Sequence, residues 1–422
     1  MAGGILAARG LGREQYGWLG MTLSTLDLFG ILGGLGLGLM ATKYVAEHRA
    51  TDPGRAGRVL GLALAATGGM ALLCAVGTLA GADWMATRWL HNPALADGLR
   101  ASAGLILTSI LHGTLAAGLA GFHAFKQISL VGCASGVLRL AGTILALSVW
   151  GTIPSLLYTW LASDLVLLGW STSLLHRQTH ANGVRIRLTA GGVEVGALLK
   201  TSLPWFLSGL AAMAGVWFVR VLLTGVPDGY AELGLLAAAM QWYNAILFVP
   251  SAMGQVGLPL LCGMHGENDH AGAGRLLWSM AGIRGGLAVA VAAPIALASA
   301  FIIRIYGPGF EAGRVTLLLF CGAAVLEAVG SSLALTLTAT GRLWLQFGYA
   351  LVRSGVIIGL AGMLVARWGS AGVGLAMVAG AVIHGLLLLW SLRHTEAETV
   401  LNAVRALWNP KVEKAELQKA GS

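Results

Sequence analysis

Four arginines stand inside stretches that are otherwise apolar: Arg139, Arg220, Arg284 and Arg353. Three acids, Asp27, Asp164 and Glu327, are placed in the same way. An arginine at the centre of a lipid-embedded helix costs roughly 2.5–3.5 kcal/mol on insertion scales, so it normally faces a cavity or a partner. Guanidinium stays charged and grips phosphate oxygens through paired N–H donors. Such groups suit the passage of an anion that cannot cross hydrocarbon unpaired. The four arginines are therefore candidate substrate-binding residues. Arg139 and Arg353 come first, as a facing pair; Arg284 has Gly285-Gly286 beside it, and Arg220, near the end of its stretch, also has the option of snorkelling to the headgroups. The carboxylates are candidate ion-coupling residues for H⁺ or Na⁺, with mid-span Asp27 first and Asp164 near Trp160 and Trp170. A static ion pair that helps fold the bundle is the competing role for each acid.

The elements that must hold these residues are membrane spans. Only 11 % of the 422 residues are charged and 56 % are hydrophobic, and the mean hydropathy is +0.76. One lipid-spanning helix needs about 20 mostly apolar residues, and its backbone must satisfy itself. Apolar stretches of that length fall near 17–41, 57–81, 101–122, 128–150, 153–175, 200–224, 232–260, 277–303, 314–338, 345–366 and 371–392. The opening MAGGILAARG is apolar but short, and reads as the end of a first helix. The 62 glycines are about twice the usual share, which suits close helix packing or sliding.

This gives an all-α, polytopic membrane protein of two six-helix bundles, the first helix truncated. The divisions are an N-terminal lobe (1–175), a connector (176–198), a C-terminal lobe (199–392) and a tail (393–422) in which a short amphipathic helix is expected. Loop charge sets the orientation. Lys43, Arg49, Arg55, Arg58, Lys126, Arg177, Arg185, Arg187, Lys200, Arg275 and Arg342 lie on one side with the basic tail, whereas Arg9, Arg13, Arg88, Arg100, Arg304, Arg314 and Arg367 lie on the other. The bias places the connector and both termini in the cytoplasm. It also accounts for the +9 formal charge without nucleic acid.

The halves repeat at an offset near 215 residues. Tyr16-Gly17-Trp18-Leu19-Gly20 resembles Tyr230-Ala231-Glu232-Leu233-Gly234, and Ala56-Gly57-Arg58 resembles Ala273-Gly274-Arg275. Leu138-Arg139 answers Val352-Arg353, and Trp150-Gly151 answers Trp368-Gly369. Both halves start on the same side, so the repeat is parallel. Two-lobed transporters with this symmetry hold substrate between the lobes and rock between two states.

Short motifs along the chain resemble those of the polysaccharide biosynthesis proteins, the oligosaccharide or O-antigen flippases of the MATE-like (MOP) transporter superfamily. Leu11-Gly12-Arg13-Glu14-Gln15-Tyr16-Gly17 is similar to the family's Leu-Gly-x-x-x-Tyr-Gly signature. Gly36-Leu37-Gly38 with Lys43-Tyr44-Val45-Ala46-Glu47 resembles the end of its second helix. Tyr306-Gly307-Pro308-Gly309-Phe310, Leu337-Thr338-Ala339-Thr340-Gly341-Arg342 and Trp368-Gly369-Ser370-Ala371-Gly372-Val373-Gly374 resemble later family segments. The resemblance implies a V-shaped MATE-like bundle in the bacterial inner membrane. Its implied cargo is an oligosaccharide on a polyprenyl pyrophosphate, moved from the cytoplasmic to the periplasmic leaflet. Membrane lipids and a glycan polymerase or other assembly proteins are the implied partners, around a monomer with no cofactor. Relatives often carry Asp-Arg late in helix seven, where this chain reads Val219-Arg220.

Other signals are subordinate. The four cysteines, Cys74, Cys133, Cys262 and Cys321, have no metal or disulfide spacing. Pro204, Pro250, Pro259 and Pro294 make the second half richer in breakers, against Pro154 in the first, which predicts a more deformable second lobe. Trp205, Trp217, Trp242 and Tyr243 are candidates for a sugar path, and His112 and His384 for a proton relay, with packing the alternative for all six. The rival functions are a cation-coupled small-molecule exporter, which predicts an acid-dominated cavity, and a non-transporting scaffold. A glycan polymerase or ligase would bring a large outer loop, and the longest here, near 82–100, is small.

Overall fold

The computed structural model describes residues 1–187, 192–267 and 269–395. The expected helix in the tail and the middle of the connector lie outside these residues. The described chain is helical throughout: α1 (Ala2–Gly34), α2 (Leu37–His48), α3 (Pro53–Trp84), α4 (Leu95–Gly121), α5 (Phe125–Val149), α6 (Ile153–Ala181), α7 (Gly192–Thr224), α8 (Gly229–Gly266), α9 (His270–Leu297), α10 (Ser299–Tyr306), α11 (Arg314–Ala339) and α12 (Leu343–Thr395). A π-helical turn, Met85–Trp89, extends α3.

Local chemistry explains the starts. Asp52 accepts from the Arg55 N–H, Thr152 from the Ser155 N–H and Asp269 from the Gly272 N–H, each filling a donor that a helix start leaves open. Pro154 stands in the first turn of α6, where a proline costs little, so it does not bend a span. Pro204, Pro250, Pro259 and Pro294 all fall inside helices of the second half.

Three helix breaks have glycine at their centre; the first departs from an expected span, and the other two fall between expected ones. The stretch read as 17–41 is interrupted at Leu35 and Gly36, both left-handed (φ 49° and 67°), and resumes as α2. Gly12 breaks α1 (φ 79°, ψ 170°) and Gly369 breaks α12 (φ 52°, ψ −130°). Beyond Gly369 the chain turns back, because Gly380 lies against Ile357 and Arg353 and Gly372 against Leu364. A straight helix would hold Gly380 and Arg353 roughly 40 Å apart. Among the described residues nine helices are long and apolar enough to cross a membrane, and the last, 52 residues long, is this hairpin. Residues 13–48, split between α1 and α2, are not among the nine. At Gly12 the arm 2–11 likewise reverses, since Gly3 faces Leu140 and Thr143 while Gly10 faces Leu147, running with α5.

The buried core divides by depth. One large cluster joins both halves at the end of the molecule that carries Gly12, including Tyr16, Leu90, Trp217, Leu235, Tyr306 and Phe310. At the connector end the core splits. Val45, Leu60, Leu119, Phe122 and Leu175 form a first-half cluster, and Leu261, Leu277, Leu333, Tyr349 and Leu388 form a second-half one. Two lobes joined at one end and separate at the other make a V. The faces of α5 and α6 turned away from both lobes expose Val137, Ile144, Val149, Leu165 and Val166, as lipid contact requires.

Candidate functional site

The joined end is built from small residues and neutral hydrogen bonds. Gly17 packs against the backbone of Tyr230 and Gly234, and Gly20 faces Ala237, so α1 and α8 touch backbone to backbone. Around this seam Arg13 Nη1 donates to the Gly309 carbonyl (3.1 Å), Tyr230 Oη to the Leu90 carbonyl and Trp217 Nε1 to Thr25 Oγ1 (3.1 Å). Trp89 meets Trp217 edge-on at 5.4 Å. Tyr16, Tyr306 and Phe310 form an aromatic cluster beside them, with Tyr16 Oη and Tyr306 Oη both donating to Gln241 Oε1.

Three cavities follow below this seam. The first, about 510 Å³, is lined by Asp27 with Gly30, Ile31, Gly34, Trp205, Phe206 and Met213. The second, about 280 Å³, shares Asp27 and Met213 and adds Arg220, Tyr243, Asn244 and Arg353. The third, about 340 Å³, shares Trp205 and Arg353 and adds Glu327, Ser331, Gln346 and His384. The shared walls make them parts of one space between the lobes. α1, α2 and α4 supply its first-half wall, and α7, α8, α11 and α12 supply the other.

The expected site residues sort themselves by this space. Asp27 is exposed within it, and Arg220 and Arg139 both act on its carboxylate through the field. Arg220 is not snorkelling: it crosses the lobe boundary, with Nη1 donating to the Gly20 carbonyl at 2.9 Å and Nη2 against Met240 Sδ. Arg353 pairs with Glu327 (2.9 Å) on the cavity wall. Arg139 grips Asp164 through Nε and Nη2 (3.3 and 2.8 Å) with Trp160 beneath its guanidinium. That pair stands outside the three cavities. Arg284 lies behind the wall, 4 % exposed, with Nη2 donating to Ser331 Oγ. Among the aromatics, Trp205 and Tyr243 line the space, whereas Trp217 is sealed in the seam and Trp242 is half-buried beside it.

The two arginine pairs are related by the repeat with one exchange. In the first lobe, His112 on α4 feels the field of both Arg139 on α5 and Asp164 on α6. In the second, Glu327 on α11 and Arg353 on the first arm of α12 are joined by His384 on its second arm. In chain order the arginine keeps its place, while histidine and carboxylate trade helices. The sequence carries the signal: His112 and Glu327 differ by the repeat offset. Gly151 and Gly369 also match, both at positive φ. What sequence reasoning missed is the seam itself. Tyr230, Leu90, Gln241 and Gly309 meet only through the fold.

With this geometry in place the comparisons are decisive for family. Residues 4–265 match the family described as "Polysaccharide biosynthesis protein". The chain belongs to that family. It is similar to the "EPS I polysaccharide export inner membrane protein EpsE" of Ralstonia nicotianae, at 28 % identity over 221 residues, covering 52 % of this chain and 48 % of that protein. The protein of the same name from Ralstonia solanacearum is 30 % identical over 192 residues, covering 45 % and 44 %. These matches thus span about half the length of either relative. In fold, the family member resembles a multidrug resistance MATE family transporter of the MOP superfamily in its inward-facing conformation (TM-score 0.74, 16 % identity, 94 % of each chain). It also resembles the lipid II flippase MurJ in an inward closed conformation (TM-score 0.73, 15 % identity, 96 % of this chain and 88 % of that one). The V-shaped MATE-like architecture expected from the motifs is the architecture found.

Proposed function

We propose that this chain moves a polyprenyl-pyrophosphate-linked oligosaccharide from the cytoplasmic to the periplasmic leaflet of the bacterial inner membrane by alternating access. The observation that carries the reading is the space between the lobes. It is closed at one end and presents Arg220 and Arg353, with Asp27 and Glu327 beside them, among largely apolar and glycine-rich walls. A pyrophosphate needs cations there, and arginine supplies them with fixed geometry. Trp205 and Tyr243 offer flat faces to sugar rings. Family membership and the curated relatives' name, polysaccharide export, support the same cargo class.

Loop charge assigns the connector end to the cytoplasm. On that assignment the seam of α1 and α8 closes the periplasmic side, and the split end admits cargo from the inner leaflet. Asp27, exposed in the cavity, is the coupling carboxylate if a gradient drives the cycle.

The test is transfer of a fluorescent polyprenyl-pyrophosphate oligosaccharide across proteoliposomes, with and without a pH or sodium gradient. Protein-dependent transfer is the expected result, and gradient dependence lost in Asp27→Asn brings that carboxylate into the mechanism. Folded protein that transfers none of several glycans overturns the reading in favour of a cation-coupled exporter or a scaffold.

A further inference from the structure

Glu327 has one guanidinium on each side of it, and only one is in use. Arg353 holds both carboxylate oxygens (3.1 and 2.9 Å) from the first arm of α12. Arg284 approaches from α9, 4 % exposed, and makes one hydrogen bond, to Ser331 Oγ at 2.9 Å. Its Nε and Nη1 have no hydrogen-bond partner among the described residues. A buried charged donor left open is costly, so an idle pair on one guanidinium needs a reason. Ser331 stands one helical turn beyond Glu327 on α11, and residues four apart share a helix face with Cβ atoms about 5–6 Å apart. Glu327 already acts on Arg284 through the field. Gly254 of α8 lies under the guanidinium, where a built Cβ would stand 3.6 Å from Nη1 and Nη2, in ordinary contact.

We propose that Arg284 is the alternative partner of Glu327, taking its carboxylate when an anionic group of the cargo takes Arg353. This rests on the reading of Arg353 as a cargo contact. Arg353 lines the cavity, and Arg284 sits behind it, so the two differ in access as the exchange requires. Freed without a substitute, Glu327 would be a poorly solvated charge with no ion pair. That penalty would oppose cargo binding. With Arg284 already bonded to Ser331, one turn along α11 from Glu327, a shift of its side chain toward that carboxylate would keep the acid paired throughout. His384 and Tyr243 also face this group, but their polar atoms adjoin Arg353 and do not separate Arg284 from Ser331. Arg284 is thus a positioning residue, acting on cargo through Glu327 and never touching it.

Two measurements test the exchange. The first needs no cargo. Thermal unfolding of Arg353→Ala, Arg284→Gln and the double variant should show a loss in the double variant well beyond the sum of the singles, because only there is Glu327 stranded. Adding Glu327→Gln should return most of it. Additive losses within the usual scatter of independent sites overturn the alternative-partner assignment. The second uses a polyprenyl pyrophosphate without sugar, bound to protein in nanodiscs. Arg284→Gln should weaken binding about tenfold, and Arg284→Gln/Glu327→Gln should restore it, since no carboxylate then needs a partner. A folded double variant as weak as the single overturns the proposal and makes Arg284 a direct contact. Wild-type protein that fails to bind overturns the cargo reading, while a non-additive first measurement would still uphold the exchange of partners.

Discussion

At the scale of single residues, the charges were legible and their pairing was not. An ionised side chain in an apolar run announces itself, so all seven candidates could be named from the chain alone, and four of them, Asp27, Arg220, Glu327 and Arg353, line the space between the lobes. Which carboxylate meets which arginine depends on helix neighbours, and Arg139–Asp164 and Arg353–Glu327 emerge only once α5 lies on α6 and α11 on α12. Their environments set different expectations. Arg353→Ala should lower affinity for a polyprenyl pyrophosphate by at least tenfold, in the range seen when one partner of a desolvated charge pair is truncated. Arg353→Lys should recover little of it, because an ammonium lacks the fork; binding in nanodiscs measures both. Arg139→Ala instead strands Asp164, which is 8 % exposed. The side chain of Arg139 is itself 44 % exposed, so the cost should be about 2 kcal/mol, short of that for a sealed pair. A lowered melting temperature that Asp164→Asn restores is the expected outcome.

At the scale of elements, hydropathy located the spans but could not see where they bend. Gly12 and Gly369 break helices between stretches that hydropathy already separates, whereas Leu35-Gly36 breaks one inside an apolar run, because glycine tolerates φ values that side chains do not and a window average is blind to that. The fold at Gly369 is further fixed from outside the hairpin. Glu232 of α8 accepts the Ser370 N–H at 2.8 Å, capping the second arm of α12. A Cβ at Gly369 would run into that carboxylate. Gly369→Ala should therefore cost more than backbone strain alone, about 1–3 kcal/mol of which comes from the unfavourable φ. A thermal shift much smaller than that of Glu232→Gln would contradict the dual role. Pro154 gives the opposite lesson: identical in type to the four prolines inside second-half helices, it merely starts α6. Position within an element decides its effect, and element boundaries are what sequence fixes least.

At the scale of the whole molecule, the repeat and the charge bias foretold two lobes, and the V shape followed from the family motifs. The seam was not foreseeable, since Gly17, Gly20 and Gly234 are three among 62 glycines. It makes a direct prediction. A Cβ at Gly20 would stand 3.1 Å from that of Ala237, close to disulfide spacing after a small shift. Gly20→Cys/Ala237→Cys, with Cys133 and Cys262 replaced by serine, should crosslink on oxidation and stop transport, and reduction should restart it. Continued transport by the crosslinked protein would show that the lobes do not part there. One consequence of the seam concerns the surroundings of the cell. Its cross-lobe hydrogen bonds each end on a neutral acceptor: a main-chain carbonyl at Gly309, Gly20, Leu90 and Met1, the amide oxygen of Gln241, or the hydroxyl of Thr25. Dissolved ions weaken the attraction between two charges, and among the described residues no ion pair spans the seam, although Arg220 and Asp27 face each other's field below it. The contacts of the seam itself are therefore of a kind that salt weakens little, so the joined end should keep its hold at high and at low ionic strength.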